Sequence, residues 1–473
     1  MEKVYLELSE DNGSSHKFYE VIVDGNELTV RYGRIGTDGS KTSKVFQTLE
    51  AAQKEAIKKI NSKKKKGYED AIMGVRQKRT ITRRLTVSTT STAKKSPVLW
   101  KFNSGSGAFG IFVDNQYCWI GNQDGRVFKL THSGEVVDQF QLPDGVKCII
   151  GDQGWIYVGC DDGNVYDLTG KVPRLAYAIN ENVDIYWLDI NDGLLAVSDA
   201  DGQVTSINYE DEEQWSRSSK GSAGWMVRVD EDSRIYHGHS GGVACYNGID
   251  GQEIWRQKTQ GSVLFGWHMN DTALAGTGQG NLELFDRDGC RQLLMKADDS
   301  IYSCASSENN RYFFAGDSSS SIYCYDDEGT RLWKLATTCG SALSMQYHNE
   351  KLYIVTTSGY LTCIDASEVA INLAKEGTVP DVKSIAAPKK VAIVASDTVE
   401  TVESISIQGT KLKCIKVDGK LRVRVISSGY HYDWNVQFPK NMRIENAEFL
   451  VDEIREVSAG GFYRVFGNIY RLN

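Results

Sequence analysis

Nothing in this 473-residue chain has the spacing of a metal site, a redox pair or a familiar catalytic motif. Its ten cysteines, at 118, 148, 160, 245, 290, 304, 324, 339, 363 and 414, stand singly, with no CxxC pair and no Cys/His cluster at ligand spacing. No Asp-x-Asp-x-Asp-Gly loop with a later glutamate offers a calcium cage. GxSxG and Walker loops are absent, which removes the usual signs of acyl and phosphoryl chemistry. Long apolar runs are missing too; the stretch from Val391 to Ala395 is a typical maximum, far short of a bilayer. The start, Met1-Glu2-Lys3-Val4, alternates polar with apolar residues and lacks the apolar core of a signal peptide. The expectation is a cytoplasmic protein away from membranes, not an enzyme, with no cofactor and no bound metal. Its cysteines are then reduced, mostly buried small hydrophobes.

What is present is an ordinary folded composition, 41% hydrophobic and 25% charged, with an uneven charge. The net charge of -8 divides into +8 over residues 1–96, -19 over 97–374 and +3 over 375–473. A basic head is suited to a polyanion that the middle would repel. Mutual attraction of the two parts is the other reading.

In the head, residues 1–73, Val4–Leu8, Phe18–Val23 and Glu27–Tyr32 alternate as strands do, with Asp24-Gly25 as a hairpin turn. Lys44–Gln47 reads as a fourth strand. Thr48 then caps a helix that carries Glu50 in its first turn and Leu49, Ala52, Ala56, Ile57 and Ile60 on one face. Lysines 63 to 66 end that helix, followed by Gly67-Tyr68. With Tyr32-Gly33-Arg34-Ile35-Gly36-Thr37-Asp38-Gly39, this order of elements closely resembles the WGR domain of poly(ADP-ribose) polymerases and many bacterial proteins. In the polymerases the domain contacts DNA ends. Its tryptophan packs on a terminal sugar, and its arginine links DNA binding to neighbouring domains. Here Tyr32 stands where the family has tryptophan, and Gly33 and Arg34 are retained. The resemblance implies a nucleic-acid site of Tyr32, Gly33, Arg34, Lys63, Lys64, Lys65 and Lys66, with DNA favoured over RNA. The plainer reading makes the glycines turn residues, Tyr32 core and the lysines a solvated helix end.

Residues 74–96 form a basic linker, Arg76, Lys78, Arg79, Arg83, Arg84, Lys94 and Lys95, with a Ser/Thr-rich centre from Ser88 to Thr92 that cannot supply a core. Residues 97–374 repeat. Turn positions fall at Gly125, Gly163, Gly202, Gly242, Gly280, Ser320 and Gly359, spaced by 38, 39, 40, 38, 40 and 39. Four residues before each lies Gly121, Gly159, Ser198, Gly238, Gly276 or Gly316, the pattern breaking at Val355. Four units carry a further loop glycine, at 134, 251, 289 or 329. A unit near forty with several short strands predicts a propeller blade. Seven units, with Val98–Phe102 completing the last, close a seven-bladed β-propeller without sheet edges. The Gly-turn, strand, Gly, Trp order, with Trp100, Trp215, Trp255 and Trp333 opening strands, resembles the pyrroloquinoline-quinone-type repeat. Enzymes of that type are typically exported, eight-bladed and calcium-dependent, often with vicinal cysteines. None of these marks is found here, so the resemblance implies the scaffold and not the dehydrogenase. His237 and His239 share a strand face without a third ligand, and Trp119, Trp155, Trp187, Trp225 and Trp267 read as core or rim packing.

After a linker at 375–390, residues 391–473 read as a small β-rich domain. Its strands are Lys413–Val417, Leu421–Val425 and Glu448–Val451, with Asp418-Gly419 as a hairpin. Arg422, Arg424, Arg443 and Arg464 are available to an anion or to packing. The whole is expected to be a mainly β recognition or scaffold protein, its α+β head on nucleic acid and its propeller rim on a protein partner. The alternative is pure protein–protein assembly, in which the head packs on the propeller without nucleic acid.

Overall fold

The computed structural model describes residues 2–9, 16–34, 40–66, 68–70, 90–179, 185–376, 383–386, 393–394, 409–458 and 460–472. Residues 1–84 form one compact body and residues 85–473, apart from 182–184, another.

The first body is an antiparallel sheet of β1 (Glu2–Ser9), β2 (His16–Asp24), β3 (Glu27–Arg34), β4 (Ser40–Val45) and β5 (Glu69–Asp70), in the order β4-β3-β2-β1-β5. Helix α1 (Leu49–Lys64) begins where Thr48 accepts a hydrogen bond from Ala51 N. It packs through Ala52 and Ala56 on Leu6, Tyr19, Val21, Val23, Leu28, Val30 and Tyr68. The small helix residues let the backbone approach the sheet. Leu49 and Ile57, read from periodicity as part of the buried face, are exposed at 44% and 58%. The sheet covers only the stripe that the two alanines mark.

The propeller is closed. Its first blade is Ala108–Val113, Cys118–Asn122, Arg126–Leu130 and Val136–Gln141, and six more four-stranded antiparallel blades follow in the same up-and-down order. The seventh blade takes its outer strand, Val98–Asn103, from the start of the body, with Trp100 opposite Cys363 and Phe102 opposite Leu361. The inner strand of that blade, Ala342–His348, lies against Ala108–Val113 and shuts the ring. All seven turn positions have positive φ, Ser320 included at 59°. The small residue four places earlier serves a different need. A Cβ on Gly238 would stand 2.6 Å from Val263, and one on Gly276 2.5 Å from Ile301, so the next blade's inner strand packs directly on backbone. Where the pattern breaks, Val355 shares a core cluster with Ala108, the small residue having moved to the other side of the seam.

The outer tryptophans hold blade to blade. Trp215 Nε1 donates to Gly248 O at 2.8 Å, Trp255 Nε1 to Arg287 O at 2.9 Å and Trp100 Nε1 to His132 O at 2.9 Å. A side chain at Gly251 or Gly289 would strike the Trp215 or Trp255 ring at 2.6 Å, which accounts for the loop glycine in these units. Each such bond contributes on the order of 1 kcal/mol.

Several connecting segments differ from their sequence reading. The basic linker from Arg76 through Ser88 falls outside the described residues, but residues 90–96 lie on the sixth blade. There Ala336 N donates to Lys94 O at 2.7 Å and the Ser321 hydroxyl to Ser91 Oγ at 2.8 Å. Helix α2 (Glu368–Glu376), unread from sequence, buries Ala370, Ile371 and Ala374. Lys383–Ala386 and Ile393–Val394 add parallel strands to the outer edges of the seventh and first blades.

The C-terminal module is a closed five-stranded barrel of Thr410–Val417, Lys420–Val425, Asn435–Gln437, Glu448–Glu456 and Phe462–Arg471. Its first strand pairs with the fourth, and the third runs parallel to the fifth. Its second and third strands face the propeller through Arg422 and Asn435, and of the four arginines read as available to an anion two, Arg422 and Arg464, find carboxylates within the chain, while Arg424 and Arg443 find neutral oxygens. Arg422 meets Glu210 at 2.9 Å and Glu212 at 3.2 Å. Arg464, 1% exposed, meets Asp152 at 3.0 Å, donates to Tyr157 Oη at 2.7 Å and stacks 3.9 Å from the Trp155 ring. Arg443 donates to Glu210 O and Phe438 O, and Arg424 to Asn435 Oδ1.

Candidate nucleic-acid interface

The antiparallel register of β2 and β3 sets Tyr32 beside Tyr19 and Gly33 beside Phe18. Alternation turns Tyr19 toward α1, where Tyr68, just past the helix, comes to meet it. The Tyr19 ring lies 6.2 Å from Tyr32 and 6.3 Å, edge-on, from Tyr68. Lys63, in the last turn of α1, places its ammonium 4.5 Å over Tyr19 and 5.0 Å over Tyr68. A cation on an aromatic face is worth about 0.5–1 kcal/mol at such a site. Burial, reinforced by Lys66, Lys17 and Lys59, lowers the Lys63 pKa. Burial, with Tyr32, Tyr68 and Glu55, raises the Tyr19 phenol above its ordinary range.

Tyr32 itself is 45% exposed, so it is not the core residue of the plainer reading. Among the described residues, Lys17, Lys59, Lys65 and Lys66 have no carboxylate within ion-pair distance. Lys64 and Lys65 continue the helix end, where the dipole favours cations. Of the sequence-predicted set, the structure places Tyr32 beside Tyr19 and Lys63 over Tyr19 with Lys66 near it, Gly33 follows Tyr32 in β3, and Lys64 and Lys65 follow Lys63 at the helix end. The backbone of Arg34 ends β3 opposite Lys17, while its side chain and residues 35–39 lie outside the described residues. Tyr19, Lys17 and Lys59 were missed. Only the pairing of β2 with β3 and the docking angle of α1 bring them in, although the alternation of β2 and the spacing of Lys59 from Lys63 were a usable signal.

In the second body, His237 and His239 lie 5.6 Å apart and buried, and burial lowers them to about 3 and about 4. Arg256 Nη1 is 3.2 Å from His239 Nε2, a poor neighbour for a metal cation. Among the described residues no group of three or more His, Cys, Asp or Glu is disposed to hold a metal ion, and no helix is long and apolar enough to cross a membrane. Nine cysteines are buried and Cys290 is exposed. Burial pushes the Cys148 and Cys304 thiols up to about 12.

A small α+β body and a second body of seven radial blades with an appended barrel define a mainly β, multidomain propeller protein. Residues 2–75 match the family model of the WGR domain, and residues 200–292 match one described as outer membrane protein assembly factor BamB. The head thus matches the WGR domain, and residues 200–292 of the propeller match a family of pyrroloquinoline-quinone-type repeats. Protein YehF of Escherichia coli is 39% identical over 80 residues, 16% of this chain and 29% of that protein. Uncharacterized protein YfeS of Escherichia coli is 41% identical over 56 residues, 12% and 23% of the two chains. The matches thus span less than a third of either relative. The WD40 β-propeller domain of Doa1 superposes with a TM-score of 0.49 at 12% identity, covering 60% of this chain and 99% of that one. The computationally designed Ika8 protein gives 0.48 at 13%, covering 57% and 99%.

Proposed function

We propose that this chain is a non-enzymatic recognition protein of the cytoplasm whose WGR head binds nucleic acid, DNA before RNA, and whose propeller docks a protein partner. The observation that carries the first part is the exposed Tyr32 ring beside Tyr19, whose face Lys63 covers, with the Lys17, Lys59 and Lys66 cations near that lysine. An aromatic face for a sugar or base next to several uncompensated ammonium groups is the chemistry a nucleic-acid end requires. Tyr32 takes the sugar-packing place, Gly33 keeps the backbone open beside it, and Arg34 and Lys63 to Lys66 meet phosphates. Docking draws support from the family matching residues 200–292, which is described as an assembly factor. It also draws on Ile249, Ile254 and Leu294, exposed at 76%, 44% and 46% on the outer parts of neighbouring blades 4 and 5.

The test is fluorescence anisotropy of the full chain with end-labelled duplex DNA across a salt series. Binding should weaken linearly in log salt, and lysines 63 to 66 changed together to Gln should flatten that slope by about 0.9 for each phosphate no longer neutralised. No binding at low salt would sink the nucleic-acid part. The docking part is checked separately by whether Ile254→Asp with Leu294→Asp abolishes a co-purifying protein that nuclease treatment leaves in place.

A further inference from the structure

A cavity of about 380 Å³ lies along the propeller's inner strands. It is within the size range of small-ligand sites. Asp189, Arg228 and Trp267 recur at 39-residue spacing, so they occupy equivalent places on three consecutive inner strands and face one cavity. Arg228 is held at one point: its Nε donates to Gly266 O at 3.0 Å. Its guanidinium is bracketed by the Trp267, Phe265 and Trp187 rings, 4.8, 5.6 and 5.8 Å away. Among the described residues the terminal amino groups of Arg228 find no hydrogen-bond acceptor, the nearest carboxylate oxygen being Asp189 Oδ1 at 3.9 Å. Asp189 in turn accepts from Val229 N through Oδ2 at 2.9 Å, which leaves Oδ1 turned to the arginine. Beside them, Trp267 Nε1 and His268 Nε2 are buried without a hydrogen-bond partner among the described residues. Groups so placed are rare in folded proteins.

Two further polar side chains of the wall are engaged, while the Ser344 hydroxyl adds a small polar group to it. Gln346 both accepts from Val113 N and donates to Val113 O, and Asp152 accepts from Gly193 N and faces Arg464. What remains is a donor fork and an acceptor about 4 Å apart, side by side, with indole faces next to them. The pair sums to zero charge, so a buried ionic ligand would enter uncompensated, at a large desolvation cost. A flat neutral ring bearing an adjacent C=O and N–H avoids that cost: its carbonyl accepts from Arg228 and its N–H donates to Asp189. We infer that this cavity binds a small neutral heteroaromatic amide or lactam, of the size of one or two fused rings, gripped by Arg228 and Asp189 and stacked on Trp267 or Trp187.

Two wall tryptophans give a direct readout. Titration of the full chain with uracil, nicotinamide and guanosine, with benzoate and indole as the ionic and purely apolar controls, should quench tryptophan emission saturably for at least one amide. Benzoate and indole should bind at least tenfold more weakly. Asp189→Asn and Arg228→Lys, each checked for a wild-type circular dichroism spectrum and melting temperature, should weaken the amide at least tenfold. Where Arg228→Lys fails to fold, Asp189→Asn with calorimetry in place of fluorescence decides. Tighter binding of benzoate than of any amide, affinity untouched by Asp189→Asn, or no saturable binding at millimolar amide overturns the inference.

Discussion

The chain has two basic regions, and they are opposite in what their cations do. In the C-terminal barrel Arg422 and Arg464 point at Glu210, Glu212 and Asp152, and Arg464 is enclosed between a carboxylate and the Trp155 ring. In the WGR head Lys17, Lys59, Lys65 and Lys66 face no described carboxylate, and Lys63 rests on tyrosine faces. Both regions carry a net positive charge, +8 over residues 1–96 and +3 over 375–473. The difference lies in residue type and burial. Arginine, planar and weakly hydrated, suits a dry fixed contact, whereas lysine, compact and strongly hydrated, suits a phosphate that arrives from water. The lesson is that positive charge signals a polyanion partner only where the fold has not already supplied the anion.

The strongest way to break this comparison is Arg464→Ala. If the arginine is a structural counter-charge, its loss strands Asp152 in a buried site and should destabilise the second body by about 3–5 kcal/mol in urea unfolding. Arg464→Met, which keeps the packing on Trp155, should also destabilise it, though less, because Asp152 remains uncompensated. A loss under about 1 kcal/mol for Arg464→Ala would mean that the barrel is loosely attached and that its basic face is open to outside anions after all.

The sequence disclosed the propeller because its cause is local and repeated seven times. A residue in left-handed conformation must end each hairpin and a small residue must meet the next blade, so Ser320 could be placed in register with six glycines although it is not one. The closing strand followed from counting, since the last unit lacked its outer strand and Trp100 supplied the missing tryptophan. Arginine pairing was illegible because Arg464 and Asp152 are joined only when barrel and blade meet, and nothing in either segment marks the other. Helix α2 is only nine residues long, too short for periodicity to separate from a strand end. The head's motif was readable, but the Lys63 contact with Tyr19 and Tyr68 depends on how the helix docks. Trp187 and Trp267, read as packing, line the cavity, and the 39-residue spacing of Asp189, Arg228 and Trp267 was available once the repeat had been found.

On the head side, lysines 63 to 66 changed to Gln should weaken DNA binding at least roughly tenfold at low salt while leaving the unfolding of the second body untouched. Tyr32→Ala should cost about 1 kcal/mol or more of binding and should leave the salt slope unchanged, because stacking releases no counterions. Tyr32→Trp should recover that affinity and exceed it. A parallel drop in salt slope in both variants would mean that Tyr32 acts by positioning lysines rather than by offering a face.

The smallest effect sharpens the barrel side. Glu212 meets Lys420 at 3.0 Å as well as Arg422, and against a modest burial cost their hydrogen bonds hold its pKa below the usual glutamate range. A carboxyl depressed in the folded state contributes stability that is full above its unfolded pKa and is lost as pH falls through the folded value. Wild-type protein should therefore lose part of the barrel's attachment as pH drops below about 4.5. Glu212→Gln should remove that part of the dependence and cost under about 1 kcal/mol at neutral pH, because the pair is partly exposed. Differential scanning calorimetry at pH 7 and pH 4 on both proteins checks the sign. A Gln variant that loses as much stability on acidification as the wild type would show that the Glu212 ion pairs at the barrel's edge contribute nothing and that the other contacts, Arg464 with Asp152 and Arg422 with Glu210 among them, hold it.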